Sequence, residues 1–306
     1  MSGSKVTVLM SVKNGEPYVA EAVASVLAQT HGDFRFFILD NASTDSTRET
    51  IRAFNDARID LVELPQDIGQ TGALNQGLSR IDTPYVARMD ADDVCLPDRL
   101  ARQVAFLDAH LEVALLGTDA LWINPAGLAL SCTNFPSSHQ DIINAFPLGN
   151  QFAHSSVMYR HEAVMAAGGY DAKFTYAQDL ALWLELATRH RVANLKEILV
   201  KLRVHLTQAT RDARLRSVRL EDNLRLAKRM MDLPGISRTS RQAAGLRRAA
   251  MLWGLGRKRE GLRYAGKIFW GDPITGLANP CLWKGMMGSS LSKIKALVRS
   301  CFRIVG

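Results

Sequence analysis

An acidic tetrapeptide, Asp90-Ala91-Asp92-Asp93, is the part of the sequence best suited to chemistry. Three carboxylates this close repel one another unless a cation sits among them. Hard divalent ions such as Mg²⁺ or Mn²⁺ take oxygen ligands and often complete their shell with substrate phosphates. The tetrapeptide directly follows an apolar run at residues 85–89, which predicts a tight turn at a strand end. The alternative is a solvated acidic turn whose aspartates cap a helix.

Two further polar segments follow other apolar runs. Asp40 closes the run that begins at Phe34, where its carboxylate could accept a hydrogen bond from a nucleobase or a ribose hydroxyl, or could instead cap the next helix. Residues 67–77, which begin with Asp67, place several glycines at a strand exit, where the backbone can approach a phosphate closely. This segment contains neither a GK[ST] phosphate loop nor GxGxxG, so a generic loop is its alternative interpretation.

Strand and helix patterns alternate around these residues. Short apolar runs predict strands at 6–12, 34–39, 59–64 and 85–89. Helical patterns lie between them at 16–29, in a segment after the second strand that runs to about residue 55, and at 73–80. This alternation favours an α/β fold with a mostly parallel sheet flanked by helices. Ligands of such sheets bind at the carboxyl ends of the strands, where Asp40 and Asp90 lie.

The later part of the first 210 residues is less regular. Short apolar runs occur at 113–116 and 120–123 among several Pro, Gly and Asn residues. An amphipathic helix is predicted over 176–188 and one more strand over 198–205. Trp183 lies on the apolar face of that helix, which favours a core position over a role as a sugar platform.

Charge divides the chain into two regions. The net charge of the 306 residues is +8, yet residues 211–306 hold 21 basic and 6 acidic side chains, and residues 1–210 hold 17 and 24. We therefore predict a first domain at 1–210 and a basic helical C-terminal region at 211–306. Basic amphipathic helices lie on anionic membrane surfaces. A packing subdomain with a solvated basic face, or an oligomer contact, is the alternative. No nucleic-acid-binding motif occurs, so we expect no nucleic acid partner.

Composition excludes several other classes of protein. With 47% hydrophobic and 22% charged residues, the chain is neither disordered, collagen-like nor a coiled-coil rod. The four widely spaced cysteines lack the spacing of a structural zinc site. The N-terminal segment lacks the pattern of a signal peptide, and no run reaches about 18 apolar residues. We expect a reduced, cytoplasmic protein without a membrane span.

Four segments, in order, resemble the family 2 glycosyltransferases with the GT-A fold. They read VTVLMSVKNGEPYVAEAVASVLAQT, FFILDNASTDST, DIGQTGALNQGL and YVARMDADDVCLPDRLARQVAFL. The resemblance covers residues 5–125, extends more weakly to about 205, and is strongest to the bacterial branch that reads ARMDADD. Neither the QxxRW signature nor the membrane spans of processive members occur, so the non-processive branch is favoured.

The resemblance implies an activity. The chain would have a Rossmann-like GT-A fold and would move one sugar, with inversion and with Mn²⁺ or Mg²⁺, from a nucleotide-sugar donor to a hydroxyl acceptor. The acceptor would be a saccharide or a lipid-linked saccharide, in cell-surface polysaccharide or lipopolysaccharide assembly. Such an enzyme could work at the inner face of the plasma membrane, held there peripherally by the basic region.

The resemblance also implies roles for single residues. Asp40 would bind the base, while Asp90 and Asp92 would form the DxD motif that meets the ribose and the metal–diphosphate group, with Asp93 beside them. The remaining members of the expected nucleotide-binding set are Asn14, Glu16 and Asp67.

Asp179 matches the catalytic base of the family's later ED motif. Gln178 replaces the usual preceding Glu, and Ala181 replaces an Asp often found two residues on. Asp179 could also be the N-cap of the helix that follows it. The changed neighbours leave open a degenerate domain that binds a nucleotide sugar or membrane without turnover. A phosphotransfer receiver or a DxD phosphatase is disfavoured, because the first strand ends without an aspartate.

Four basic or imidazole side chains are secondary candidates. His205 resembles the family's late YRxH element and could meet the metal or the diphosphate, with Arg203 as an anion clamp. A plain surface strand end is the alternative. His154 could line the acceptor pocket, although a core or loop histidine is the simpler interpretation. Arg88 could either balance the charge of the acidic tetrapeptide or be solvated.

Overall fold

The computed structural model describes residues 4–205 and 216–271, with side chains to residue 268. The chain separates into two compact units. The first comprises 1–139, 152–173 and 181–211, and the second comprises 140–151, 174–180 and 212–306. The second unit thus includes two short segments that precede residue 210, and the division at 210 stays a prediction. The basic residues Arg211 and Arg214, and those beyond 271, lie outside the described residues.

Nine strands of the first unit form one sheet. They are β1 (Val6–Val12), β2 (Phe34–Asp40), β3 (Ile59–Glu63), β4 (Tyr85–Met89), β5 (Val94–Cys95), β6 (Val113–Ile123), β7 (Ala129–Cys132), β8 (Met158–Arg160) and β9 (Arg191–Arg203). The order is β3-β2-β1-β4-β8-β6-β9-β5, with β7 paired to β6. Strands β1–β4, β6 and β9 run in one direction, since β8 is antiparallel to both β4 and β6. The sheet is therefore mostly parallel.

Helices flank the strands. They are α1 (Val19–Leu27), α2 (Thr47–Arg52), α3 (Gly69–Leu78), α4 (Arg99–Ala109), α6 (His161–Ala166) and α7 (Gln178–Arg189). Helix α5 (His139–Ala145) belongs, after its first residue, to the second unit. Apolar residues of β1, β2 and β4 pack with the apolar stripes of α1 and α4 in one buried cluster. Burial of these stripes, more than helix propensity, stabilises such short helices.

The structure corrects the prediction for residues 113–123. The two short runs belong to one strand, β6, which continues through Gly117, Thr118 and Asp119. Its pairing with β9 shifts register on both sides of Asp119. Such bulges break the alternation that a strand prediction uses. Its partner β9 begins at Arg191, seven positions before the predicted start, because its first residues pair with the start of β6.

The glycine-rich segment after β3 also differs from the prediction. Helix α3 begins at Gly69 rather than at residue 73, so Gly72 and Gly77 lie within it. A Cβ on Gly77 would stand 2.6 Å from a methyl group of Leu9 and 2.9 Å from one of Leu39. Gly77 therefore lets α3 approach the sheet closely. Packing, rather than contact with a phosphate, explains why this position is a glycine.

The second unit is helical where it is described. Its long helices are α8 (Arg216–Met231), α9 (Arg238–Gly254) and α10 (Lys258–Gly271). Ser237 is the N-cap of α9 and accepts a hydrogen bond from the backbone N–H of Ser240. Buried Asp222 of α8 accepts 3.0 Å hydrogen bonds from the backbone N–H groups of Thr175 and Tyr176. No helix in residues 4–205 or 216–271 is both long and apolar enough to cross a membrane.

Candidate active site

The direction of the strands explains how distant residues meet in the first unit. Strands β2, β4 and β9 are parallel, so their carboxyl ends lie at the same edge of the sheet. Strand β8 runs the opposite way and therefore begins at that edge. Asp40 ends β2, Asp90 follows β4, Ser155 precedes β8 and Arg203 ends β9. This edge is the one at which α/β sheets bind ligands.

Ser155 joins two carboxylates of the acidic tetrapeptide. Its Oγ lies 2.9 Å from Oδ2 of Asp90 and 2.5 Å from Oδ2 of Asp93, and it accepts a 3.1 Å hydrogen bond from the backbone N–H of Asp90. Asp93 is buried, and burial together with the charges of Asp92 and Asp90 raises its pKa well above the usual range. The serine thus fixes the turn where repulsion between carboxylates is strongest.

The end of β9 binds the other side of this turn. The backbone N–H of Arg203 donates a 2.8 Å hydrogen bond to Oδ1 of Asp93. Nε2 of His205 lies 2.9 Å from Oδ2 of Asp92. Val94 of β5 pairs with Lys201 of β9. This pairing brings the acidic tetrapeptide alongside the last residues of β9 and makes both contacts possible. The structure therefore brings the predicted metal residues Asp92 and His205 together.

Arg203 is buried and acts mainly as a brace. Its guanidinium donates to the backbone oxygens of Asp92 at 3.0 Å and of Pro125 at 3.0 Å, and pairs with Glu21. The ring of Tyr18 lies 4.6 Å from its Cζ. With its N–H groups directed at protein acceptors, Arg203 supports the turn. Its expected role as an anion clamp stays a prediction.

Arg88 balances the charge of Asp90. Its guanidinium is fully buried and pairs with Oδ1 of Asp90. Burial opposes ionisation of Asp90, but the charge of Arg88, followed by the hydrogen bonds from Ser155 and Arg88, outweighs it and lowers the pKa of the carboxyl. Of the two interpretations of Arg88, charge balance is the one the structure shows. Nε and Nη1 of Arg88 have no hydrogen-bond partner within the described part of the chain.

Asp40 has one engaged and one open oxygen. Its side chain is fully buried, and Oδ2 accepts hydrogen bonds from Nε of Arg48 at 2.6 Å and from the backbone N–H of Ser43 at 3.1 Å. Oδ1 has no partner among the described residues. A buried acceptor without a donor is costly unless a ligand or water supplies one. This is the property expected of a carboxylate that binds a nucleobase N–H.

The loop after β1 is fixed to the loop after β2. Oδ1 of Asn14 accepts a 2.8 Å hydrogen bond from the backbone N–H of Thr44, and the N–H of Asn14 donates to Oγ of Ser43 at 2.9 Å. Glu16 accepts from Thr50 at 2.6 Å. Asn14 has φ 53°, a left-handed conformation in which Asn is tolerated. Asn14 and Glu16 therefore position the backbone beside Asp40, and direct contact with a nucleotide stays a prediction.

Asp67 organises the loop before α3. It pairs with Lys13 at 2.6 Å and accepts from Nδ2 of Asn41 at 2.6 Å and from the backbone N–H of Gly69 at 2.8 Å. The bond from Lys13, followed by that from Gly69, lowers the pKa of Asp67. Its place in the nucleotide-binding set stays a prediction.

His154 and Trp183 lie in an aromatic cluster. Nε2 of His154 is 2.9 Å from Oη of Tyr170, and the His154 ring meets the Trp183 ring edge-on at 6.0 Å. Burial, then the charge of Arg88, lowers the pKa of His154 to about 3, so the imidazole is neutral at pH 7. Trp183 is fully buried, which confirms its predicted core position.

Asp179 belongs to the second unit. It lies in the first turn of α7, where Oδ1 accepts a 2.7 Å hydrogen bond from the backbone N–H of Leu180. Oδ2 accepts from Nδ2 of Asn150 at 2.7 Å. Gln178, one residue earlier, is buried. Because α7 begins at Gln178, Asp179 is its second residue and not its N-cap, which differs from the capping interpretation. The amide of Asn150 orients the carboxylate.

The residues present fit a divalent ion that arrives with a substrate. Within residues 4–205 and 216–268, no group of three or more His, Cys, Asp or Glu could hold a metal by itself. The adjoining pair Asp92 and His205 offers an oxygen and a nitrogen ligand. Mg²⁺ is typically bound by one or two carboxylates, substrate phosphates and water, so a pair is sufficient on the protein side.

Two residues that support the site were not identified from the sequence. Ser155 stands in an irregular stretch without a pattern that distinguishes it. Arg99 lies on amphipathic α4, where an arginine is expected at the surface, yet it is fully buried. It donates to the backbone oxygens of Arg88 and Val157, both at 2.9 Å, and so fixes the end of β4. A signal for Arg99 does exist, because it occupies a core-facing position of the helix.

Sequence comparisons identify related proteins. The family model described as Glycosyl transferase family 2 matches residues 7–121. An uncharacterized glycosyltransferase of Haemophilus influenzae is 35% identical over 206 residues, which cover 65% of this chain and 76% of that protein. The amylovoran biosynthesis glycosyltransferase AmsE of Erwinia amylovora is 33% identical over 202 residues, covering 64% and 75% respectively.

Solved structures share the fold. TarS 1–349 of S. aureus, in complex with UDP-GlcNAc, superposes with a TM-score of 0.67 at 15% identity and covers 87% of this chain and 80% of its own. The mannosyltransferase PcManGT of Pyrobaculum calidifontis, in complex with GDP-Man and Mn²⁺, has a TM-score of 0.62 at 17% identity and covers 99% and 88%. These likenesses confirm the predicted GT-A fold.

Proposed function

Since the chain belongs to the family 2 glycosyltransferases, we propose that it transfers one sugar per encounter from a nucleotide-sugar donor to a hydroxyl acceptor, with inversion and with a divalent ion. The observation that most supports this is the 2.9 Å contact between Asp92 and His205 at the ligand-binding edge of the sheet. The Mn²⁺ named with PcManGT supports Mn²⁺ or Mg²⁺ as the ion.

The donor would be a nucleoside diphosphate sugar. Its base would supply the hydrogen-bond donor that the open Oδ1 of Asp40 lacks. Its ribose would meet Asp90, whose carboxylate stays ionised beside Arg88. UDP-GlcNAc and GDP-Man, named with the two structural neighbours, are donors of this class.

Departure of the nucleoside diphosphate develops negative charge on the phosphate oxygens. A divalent ion held by Asp92 and His205 would stabilise that charge as a Lewis acid. The chain's own contribution is to hold these two side chains in place: Ser155 and Arg203 fix Asp93, and Asp93 fixes the turn that carries Asp92. Pre-positioned groups of this kind need no rearrangement as charge develops.

Asp179 would be the general base that takes the proton of the attacking hydroxyl. A single inverting displacement needs one base and no carboxylate nucleophile, unlike the pair used in retaining hydrolysis. The hydrogen bond from Asn150 supports this role, because it holds the carboxylate in one orientation.

The acceptor would be a saccharide or a lipid-linked saccharide of a cell-surface polysaccharide or lipopolysaccharide. The name of the amylovoran biosynthesis relative supports this class. We also propose peripheral contact with the anionic inner face of the plasma membrane. Helix α8 supports it, since it has five basic residues and three of them lie within five positions, from Arg225 to Arg229.

A two-step experiment tests the proposal. Thermal shifts with UDP-, GDP- and dTDP-sugars plus Mn²⁺ identify the donor, because a specific ligand raises stability by mass action. Transfer to an acceptor panel, read by NMR, then gives the anomeric configuration of the product. Asp179→Asn should abolish transfer and keep donor binding, whereas the exposed control Asp82→Asn should retain both. Donor binding without consumption by the unmodified protein would instead support the binding-only alternative suggested by Gln178 and Ala181.

A further inference from the structure

A basic cleft lies between α8 and α9 in the second unit. Its volume is about 700 Å³. Three of the cations that line it, Arg225, Lys228 and Arg229, lie on α8 at positions i, i+3 and i+4, which share one helix face. Two more, Arg248 on α9 and Arg257 in the turn after it, complete the lining cations. Five basic side chains thus border one volume.

The cationic part of the cleft is short. Arg225 and Arg229 are separated by about 6 Å along the helix axis, given the rise of ~1.5 Å per residue. Glu221 and Asp232 line the cleft about one turn beyond them on either side. These carboxylates confine the positive potential to the middle of the face. The cleft is therefore suited to one compact anionic group rather than to an extended polyanion.

Stacking holds two of the arginines in place. Cζ of Arg248 lies 5.4 Å from the ring centre of Tyr264, and Cζ of Arg229 lies 4.9 Å from that of Phe174. A stacked guanidinium contacts the ring through its flat face. Its N–H groups point outward from its edge, in the geometry that matches phosphate oxygens. Arg257 donates two hydrogen bonds to Glu260, from Nε at 2.8 Å and from Nη2 at 2.6 Å, so its charge is partly neutralised and it contributes less to the positive potential of the cleft.

Apolar side chains also line the cleft. Leu224 of α8 and Leu255, the C-cap residue of α9, lie among the cations. A site for a free, fully hydrated phosphate has no need of them. A phosphate attached to an alkyl chain can bury carbon against the leucines while its oxygens meet the arginines. This combination of charge and apolar surface matches a membrane amphiphile.

From this geometry we infer that the cleft binds the phosphate or diphosphate group of a membrane amphiphile. The inference deepens the proposed membrane contact by assigning it to one site with one head-group chemistry. It does not depend on sugar transfer, because the cleft is formed by α8, α9 and the turn after α9, and uses none of the residues assigned to the donor or the catalytic base.

Vesicle flotation of the full chain tests the inference. Vesicles of phosphatidylcholine with phosphatidic acid are compared with charge-matched vesicles containing phosphatidylserine, in EDTA so that a metal-loaded donor site does not contribute. The double variant Arg225→Gln, Lys228→Gln removes two cleft cations. The matched control Arg241→Gln, Arg259→Gln removes two exposed cations of α9 and α10 that do not line the cleft.

The protein should float with the phosphatidic acid vesicles in preference to the charge-matched ones. The cleft variant should bind at least tenfold more weakly than the control variant, given that each basic residue near an anionic surface contributes about a fourfold to sixfold factor. Equal losses in both variants would overturn the inference, since general surface attraction would then explain the binding. Calorimetry showing that inorganic pyrophosphate binds the cleft while vesicles do not would also overturn it.

Discussion

The backbone N–H of Arg203 donates a 2.8 Å hydrogen bond to Asp93, which lies 110 positions earlier in the chain. This bond joins the end of β9 to the acidic tetrapeptide after β4. His205 follows two residues later and reaches Asp92 from the same strand end. The contact between Asp92 and His205 is thus produced by the long-range pairing of β5 with β9, and not by any local sequence motif.

The first prediction concerns Ser155. Ser155→Ala removes the hydroxyl between Asp90 and Asp93, so kcat/KM for sugar transfer should fall about tenfold to a hundredfold, the loss expected when a hydrogen bond to a charged group is removed. Ser156→Ala is the matched control, because Ser156 is equally buried but bonds to Ala153 and Thr118. Both variants should lose about 1–2 kcal/mol of unfolding free energy. A catalytic loss of the same size in Ser156→Ala would contradict the role of Ser155.

The second prediction concerns Asp40. Asp40→Asn keeps the shape of the side chain but removes the charge that faces Arg48 and the expected base. KM for the donor should rise at least about tenfold with a smaller change in kcat, because the lost contact is made equally in the ground and transition states. Asp82→Asn, which alters an exposed ion pair with Arg35, should change neither constant. Steady-state kinetics with varied donor would decide the matter, and an unchanged KM would exclude base binding by Asp40.

The third prediction concerns pH. The pKa of His154 is lowered to about 3 in the folded protein, from an ordinary 6.5, so the unfolded chain binds a proton that the folded protein does not. The contribution of neutral His154 to the unfolding free energy is therefore fully present above about pH 6.5 and is lost as the pH falls towards 3. His139, whose pKa burial also lowers, adds to this loss.

His154→Gln should remove the contribution of that residue. The fall in unfolding free energy between about pH 6 and pH 5 should be smaller than in the unmodified protein by about 1 kcal/mol. His190→Gln, at an exposed position, should leave the fall unchanged. Urea unfolding at the two pH values measures the difference. An identical slope in His154→Gln would show that this imidazole is protonated in the folded state.

The fourth prediction concerns packing in β6. A Cβ on Gly117 would stand 2.2 Å from Oδ1 of Asn194 and 2.6 Å from Cδ1 of Phe152. Gly117→Ala should therefore lower the unfolding free energy by about 1–3 kcal/mol, the usual cost of overpacking. Gly32→Ala is the control, since a Cβ there meets no atom within 4 Å. Its free energy should change by less than about 0.5 kcal/mol.

The sequence predicts the first strands of this fold well and the site only in part. Strands β1, β2 and β4 are short apolar runs bounded by polar residues, so their ends, and with them Asp40 and Asp90, can be found from pattern alone. Strand β6 cannot be found in the same way, because Gly117 to Asp119 interrupt its alternation at two bulges.

The supporting residues of the site escape prediction for another reason. Ser155 and Arg99 act through hydrogen bonds to residues 62 and 11 positions away, and no periodicity encodes such contacts. The proximity of His205 to Asp92 likewise depends on strand pairing. Only the resemblance to a known family suggests that pair before the fold is known.

The proposed metal site is tested most sharply by equilibrium binding of the preferred nucleotide sugar to the unmodified protein and to Asp92→Asn, each with Mn²⁺ and with EDTA. We expect Mn²⁺ to tighten binding to the unmodified protein at least about tenfold, since metal and diphosphate would bind together at Asp92 and His205. Asp92→Asn should remove most of this effect. Binding that is equally tight in EDTA, or an undiminished response to Mn²⁺ in Asp92→Asn, would contradict a metal–diphosphate site at these two residues.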